Sequence, residues 1–497
     1  MSHQTRKFSR RQFLQLSATA TAGSVACAPQ LRAATPAMRS RPNVIVIVAD
    51  DLGYGDLGCY GNPDLRTPAI DQLARGGVRL TSHYAASPLC APARAALLTG
   101  RYPHRVGAIS VESNRGLDRI SLGEKTLGDH FHAAGYATGF IGKWHNGLYD
   151  RRYLPAQRGF QEVVGFYNGG MGYNDWVLDR HGSTRRADGR HLTDVFADEA
   201  VEFVRRHPRD PFLLCLPFNA PHLPLEAPAG DLAPYVESGK FTREVSALYG
   251  MITRMDRGIG RITEILATLG LAENTLILFT SDNGPEGSRA GRFNGPFRGG
   301  KQDVLEGGIR VPAVLRWPAG LPSGTEVRHM VHFVDWLPTL LSVARARPAG
   351  GKPFDGLDQL STLRGDGAVQ PVARFWQYNR YTPVARCNAA MRDGDWKLHF
   401  PRIAAAMRKL PEDNAPYQEL FRVPHYEMAI DRSGVERTLP PAAPPELYNL
   451  RTDPGEINNL AAQEPARVRA MSEQWDRWFA AVEAERRRLP EYAGHGI

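Results

Sequence analysis

Asn43-Val44-Ile45-Val46-Ile47-Val48-Ala49-Asp50-Asp51 is the stretch from which the fold is read. Val44 to Ala49 are apolar without a break, and most of them are β-branched. Such a run has no polar face to turn to water, so it reads as a central parallel strand buried on both sides. The two acids then fall at its carboxyl end, where open α/β sheets place their ligands. Adjacent carboxylates repel unless a cation neutralises them. The alternative is a helix cap followed by a solvated turn acid.

Working outward, strands are expected over 78–80, 136–141, 211–218, 275–280 and 311–317. Helices are expected between them over 67–76, 127–134, 195–206, 243–269 and 329–344. The 243–269 segment carries Val245, Leu248, Ile252, Met255, Ile259, Ile262, Ile265 and Leu266 at helical spacing, a stripe for core packing. Strands alternating with helices predict an α/β fold, a large and mostly parallel sheet covered on both faces. Composition shifts to Pro, Gly and polar residues over 346–370. Beyond it, 389–400 reads as two strands joined at Asp393-Gly394, 411–445 as a proline-containing insertion and 465–488 as a closing helix. The expected organisation is a leader over 1–34, an α/β domain over 41–365 and a smaller domain over 366–497, an antiparallel sheet plus helix.

Ser87-Pro88-Leu89-Cys90-Ala91-Pro92-Ala93-Arg94 reads as the start of a helix that Gly100 ends. Pro92 is tolerated at an early helical position, where an N–H has no partner to lose. Cys90 then faces the free N–H groups and positive dipole of a helix start, an anion site. Arg94, one turn on, is placed to reach back toward it. A buried cysteine capping an ordinary helix is the competing reading of these residues alone.

The net charge is +9, and Arg6, Lys7, Arg10, Arg11 and Arg32 of the leader supply five of those charges. The remaining +4 suits a small anionic substrate, and no basic stripe with interleaved aromatics points to nucleic acid. Cys27, Cys59, Cys90, Cys215 and Cys387 show neither a disulfide framework nor zinc spacing. Ser9-Arg10-Arg11-Gln12-Phe13-Leu14 precedes a run over 16–28 rich in Ala, Ser and Thr. This resembles a twin-arginine export signal with cleavage near Ala33 or Ala34, and implies the twin-arginine translocase as a partner and a periplasmic or secreted protein. The alternative is a disordered basic tail. The run is too short and polar for a stable membrane span. Lipid attachment at Cys27 is a further option, against which Ser24 replaces the usual apolar residue.

Cys90, Pro92 and Arg94, with Leu98-Thr99-Gly100-Arg101 behind them, resemble the signature of the type I sulfatases. In that family the cysteine is oxidised to formylglycine by a dedicated maturation enzyme. Other strand ends and loops match too: Lys143 and His145 in Gly-Lys-Trp-His, His222 after Ala-Pro, Asp282-Asn283, and Lys301 in Arg-Gly-Gly-Lys. The strings at 306–312 and 446–460 also resemble the family, and the likeness spans roughly 41–465. Asn146 departs from it, standing where leucine is usual.

The resemblance implies an alkaline-phosphatase-like core, of the arylsulfatase and N-acetylgalactosamine-sulfatase-like branch. It implies a divalent cation held by Asp50, Asp51, Asp282, Asn283 and position 90. The oxygen donors suit Ca²⁺, or Mg²⁺, rather than zinc. It also implies hydrolysis of an aryl or carbohydrate sulfate through a formylglycine gem-diol and a sulfo-enzyme intermediate. Arg94 and His145 would hold or deprotonate the diol, Lys143 and Lys301 would bind sulfate, and His222 with Lys301 would protonate the leaving alcohol. Alternatives are a phosphonate or phosphate monoester hydrolase on the same scaffold, or an inactive sulfated-glycan-binding protein.

Overall fold

The computed structural model describes residues 41–287, 292–413, 429–431 and 433–492. The expected leader, with Cys27, and part of the 411–445 insertion lie outside them.

Asn43–Ala49 is a strand in the middle of a ten-stranded sheet. From one edge to the other the strands are Thr325–Val327, Val78–Leu80, Ala313–Arg316, Thr275–Ser281, Asn43–Ala49, Phe212–Pro217, Ala137–Lys143, Glu162–Phe166, Val177–Arg180 and Ser183–Arg186. The five from Thr275–Ser281 to Glu162–Phe166 run parallel. Ala313–Arg316 is antiparallel to its neighbours, and Val177–Arg180 with Ser183–Arg186 closes the other edge as a hairpin.

The central strand explains why the sheet is covered twice. Val44, Val46 and Val48 point into one core with Leu97, Leu127, Phe140 and Leu340. Ile45, Ile47 and Ala49 point into the other with Ile70, Val195, Phe196, Met255 and Ile259. Each fully buried isoleucine or valine here contributes about 1.5–3 kcal/mol. Helices Cys90–Thr99, Leu127–Ala133 and Trp336–Ala344 supply the first layer. Helices Pro68–Arg75, Leu192–Arg206 and Arg243–Thr268 supply the second.

The helix expected over 329–344 is shorter. Val331–His332 pairs as a parallel strand with His83–Tyr84, and the helix begins at Trp336 after a turn in which Asp335 Oδ2 accepts from His332 N. A distant partner strand outcompetes local helix propensity there.

The smaller sheet is antiparallel: Arg374–Gln377, Ala389–Asp393, Trp396–Phe400 and Glu446–Asn449. Helix Pro465–Arg486 packs on it through Trp475, against Phe375 and Phe400. Phe375, Met391, Leu398 and Trp475 share a core with the large sheet, and the described residues from Arg41 onward form one compact unit. Among the described residues no helix is long and apolar enough to cross a membrane.

Candidate active site

Four neighbouring parallel strands end side by side, and each delivers polar residues to the same edge. Asp50 and Asp51 follow Asn43–Ala49, Asp282 and Asn283 follow Thr275–Ser281, Lys143 ends Ala137–Lys143, and His222 follows Phe212–Pro217 by a short loop. Backbone bonds lace the ends together: Asp50 N to Ala220 O at 3.0 Å and Asp282 N to Ala49 O at 3.1 Å. Gly142 has φ +134°, and a Cβ there would lie 1.9 Å from Pro217 O, so only glycine lets the strand close in beneath Lys143. Asp51 and His145 are held left-handed, at φ 63° and 56°. Such non-glycine conformations cost of order 1–3 kcal/mol each and persist only where the surroundings over-determine them.

Cys90 is the first residue of its helix, with Leu89 as cap, and is 2% exposed. Its Sγ lies 3.5 Å from Asp50 Oδ1. Burial, then Asp282, pushes the thiol well above its ordinary range, so a plain thiolate is disfavoured. Arg94 reaches the site around position 90, where the Cys90 side chain is among the groups that act on its guanidinium. Its Nε donates to Asp282 Oδ2 at 2.9 Å, its Nη1 to Lys143 O at 3.0 Å, and its Nη2 lies 3.6 Å from Asp50 Oδ1. The guanidinium thus fixes two carboxylates and a strand end together.

Ligand atoms of Asp50, Asp51, Asp282 and Cys90 all lie within 4.8 Å of one another, and all four residues are buried. Burial and the neighbouring Asp50 push Asp282 up, against Arg94 and Lys143. Asp51 is held down: its burial is outweighed by Lys301, His222 and Lys143. Asn283 Nδ2 donates to Asp51 Oδ1 at 2.8 Å and to Gly284 O at 2.9 Å. That leaves its Oδ1 buried with no partner among the described residues. Crowded carboxylates beside an orphaned amide oxygen fit a hard divalent cation.

Two lysines and two histidines surround this cluster. Lys143 Nζ lies 2.6 Å from Asp50 Oδ2, and Lys301 Nζ 2.7 Å from Asp51 Oδ2. His222 Nδ1 is 2.8 Å from Leu223 O, a carbonyl that only accepts, so Nδ1 carries the proton and Nε2 faces Asp51 Oδ2 at 3.7 Å. Burial, then Lys301 and Lys143, lowers His222 to about 3. His145 is buried, and neither ring nitrogen has a partner among the described residues. Burial, then Lys143 and Arg94, pushes it well below the usual imidazole range and holds it neutral.

Every residue expected at the site is therefore present at one edge of the sheet. Glu286 joins them and was missed: its carboxylate, Asp51 and His222 lie within 4.8 Å of one another. Its only sequence signal is an acid three residues after Asn283 in a loop leaving a strand end. Asn146 explains its departure from leucine. Its Nδ2 donates to Ala91 O at 2.9 Å and Asp118 O at 3.1 Å, tying the Cys90 helix start to a neighbouring loop.

The family model for Sulfatase matches residues 42–346, which contain all of these groups. The chain belongs to the sulfatase family. Mouse (Mus musculus) steryl-sulfatase is 33% identical, over 95% of this chain and 86% of its own length. Human (Homo sapiens) arylsulfatase A is 33% identical, over 86% of this chain and 85% of its own length. Among solved structures, Ps i-CgsB in complex with k-i-k-neocarrahexaose superposes with a TM-score of 0.74 at 29% identity, covering 88% of this chain and 93% of that one. This sulfatase is accordingly an enzyme, a hydrolase acting on sulfuric ester bonds, with an alkaline-phosphatase-like fold.

Proposed function

We propose that this sulfatase cleaves aryl or carbohydrate sulfate monoesters with a formylglycine made from Cys90. The observation that carries the reading is the placement of Cys90 Sγ, at a helix start, 3.5 Å from Asp50 Oδ1 inside the carboxylate cluster. A thiol held protonated there is a poor nucleophile. An aldehyde at the same position hydrates to two hydroxyls on one carbon. The names of the relatives and of the bound hexaose support aryl, steryl and carbohydrate substrates alike.

Asp50, Asp51, Asp282 and Asn283 would hold the cation, Ca²⁺ or Mg²⁺, which supplies positive charge for the sulfate oxygens and the attacking hydroxyl. Asp282 takes the proton of the attacking hydroxyl. The new O–S bond forms as the ester O–S bond breaks. Lys143 and Lys301 carry the charge that builds on the sulfate oxygens. The leaving alcohol takes its proton from the His222–Lys301 pair, whose pKa values a bound anionic ester raises. His145 then removes the proton of the second hydroxyl, the carbonyl re-forms and inorganic sulfate leaves. Arg94 keeps the carboxylates in register throughout.

The test is Cys90→Ser with an aryl sulfate, following product per enzyme and the mass of the peptide containing residue 90. Serine keeps one hydroxyl and lacks the second, so a single turnover with sulfate left on the protein is expected. Sustained turnover overturns the gem-diol reading. A parallel panel of phosphonate esters separates the sulfatase from a phosphonate hydrolase. We also propose export by the twin-arginine route, on the strength of Arg10-Arg11 and the small-residue run behind them.

A further inference from the structure

Lys301 does not sit on a strand or helix of the large sheet. It lies in a loop, and the residue after it is strained. Gln302 has φ +72°, a left-handed conformation that a non-glycine residue adopts at a cost. Both backbone polar groups of Gln302 are gripped. Its N–H donates to Pro88 O at 2.7 Å, two residues before Cys90. Its carbonyl accepts from Asn388 Nδ2 at 2.8 Å.

Asn388 belongs to the smaller sheet, immediately before the strand Ala389–Asp393, and is fully buried. It too is left-handed, at φ +46°. Its side chain brackets the lysine loop: Nδ2 holds Gln302 O, and Oδ1 accepts from Val304 N at 3.3 Å. The same Nδ2 also donates to Tyr378 O at 2.9 Å, anchoring the bracket to its own sheet.

A second clamp follows a few residues on. Glu306 N donates to Glu456 Oε2 at 2.6 Å, and Lys397 Nζ sits 2.9 Å from Glu306 Oε1 and 2.8 Å from Glu456 Oε1, all three side chains being buried. Asn388, Lys397 and Glu456 all lie beyond residue 346, where the family match ends. The loop bearing Lys301 is thus held between the Cys90 segment and a sheet outside the matched region.

We propose that Asn388 is a positioning residue for turnover: by fixing the strained Gln302 backbone it aims Lys301 at the sulfate ester. This rests on the reading above that Lys301 binds that ester. Without the bracket, Gln302 relaxes toward an unstrained φ and swings the neighbouring Lys301 ammonium out of place. An asparagine that merely closes the turn before its own strand would stabilise the fold and leave Lys301 unaffected.

The two roles separate in a double-mutant cycle on the full-length, matured, cation-loaded enzyme with an aryl sulfate. Asn388→Gly keeps the positive φ without strain and removes the side-chain bonds. It is expected to lower kcat/KM roughly 10- to 100-fold in the parent, the scale of a side chain misplaced by about 1 Å. In the Lys301→Ala background it is expected to change kcat/KM by less than about twofold, because the group it positions is gone. Thermal midpoints should fall equally in both backgrounds. An equal loss of kcat/KM in both backgrounds overturns the proposal and leaves Asn388 a structural residue. Parental activity in Lys301→Ala alone overturns the underlying reading instead. Should Asn388→Gly fail to fold, Asn388→Asp, which keeps the volume and tolerates positive φ but has no amide to donate to Gln302 O, carries the same cycle.

Discussion

Lys143 Nζ and Asp50 Oδ2 are 2.6 Å apart, with both side chains fully buried. The pair joins two strands that do not touch, since Phe212–Pro217 runs between them. Removing one partner of such a pair strands a charge in the interior, at about 3–5 kcal/mol. Lys143→Met should therefore lower the thermal midpoint clearly. Adding Asp50→Asn to it should restore part of the loss, because the stranded charge goes too. Denaturation curves of the two single variants and the double decide this, and a double variant worse than Lys143→Met would contradict it.

Asp51 touches Lys301 and Asn283 at once and sits within reach of His222. Added Ca²⁺ should raise the thermal midpoint of the cation-free wild type, as any ligand of the native state does. Asp51→Ala should abolish that rise and lower the calcium found in the purified protein by elemental analysis. An undiminished calcium-induced shift in Asp51→Ala would remove Asp51 from the ligand set.

Asp118 lies behind the site, fully buried, with Ser113 Oγ donating to Oδ2 at 2.7 Å and no partner for Oδ1 among the described residues. Burial pushes its pKa up to about 6, against Ser113 and Arg119. The unfolded chain ionises first, so stability is fully present below about pH 4 and is lost as pH rises through 6. The loss amounts to at most ~3 kcal/mol, about two pKa units. Asp118→Asn has no charge to lose. Its stability relative to the wild type should improve between pH 4 and pH 7.5, read from urea denaturation at each pH. A constant difference across that range would refute the assignment.

Export rests on Arg10 and Arg11. Replacing both with lysine should leave precursor in the cytoplasm, visible by fractionation and N-terminal mass, while unaltered export would refute the twin-arginine reading.

The sequence was legible where a residue's fate depends on its own chemistry. The run from Val44 to Ala49 has nowhere to go but the interior, and acids or histidines directly after such runs mark a strand's open end. Parallel neighbours then bring Asp50, Asp282, Lys143 and His222 together without further instruction. What depended on a distant partner was not legible. Ser183–Arg186 is polar throughout and becomes a strand only because Val177–Arg180 offers it hydrogen bonds at the sheet edge. Val331–His332 leaves the expected helix for His83–Tyr84. Arg94 had the right spacing to reach the site at position 90, but its hydrogen bonds to Asp282 Oδ2 and Lys143 O depend on two other strands. Glu286 offers only its place three residues after Asn283, and Asn388 no local pattern, since their partners come from other parts of the chain.

The burial of Cys90 has a consequence in time. Its surroundings come from residues as late as Lys301 and, through Gln302, Asn388. At 5–20 residues per second a ribosome needs roughly 15–60 s to cover the about 300 residues between Cys90 and Asn388. During that interval position 90 is part of an open peptide; afterwards it lies behind a finished wall. On the reading proposed for Cys90, the maturation enzyme therefore races elongation and folding, and the yield of active sulfatase is fixed kinetically. Slower elongation across residues 100–388 should raise the matured fraction of the folded protein, and overexpression should lower that fraction.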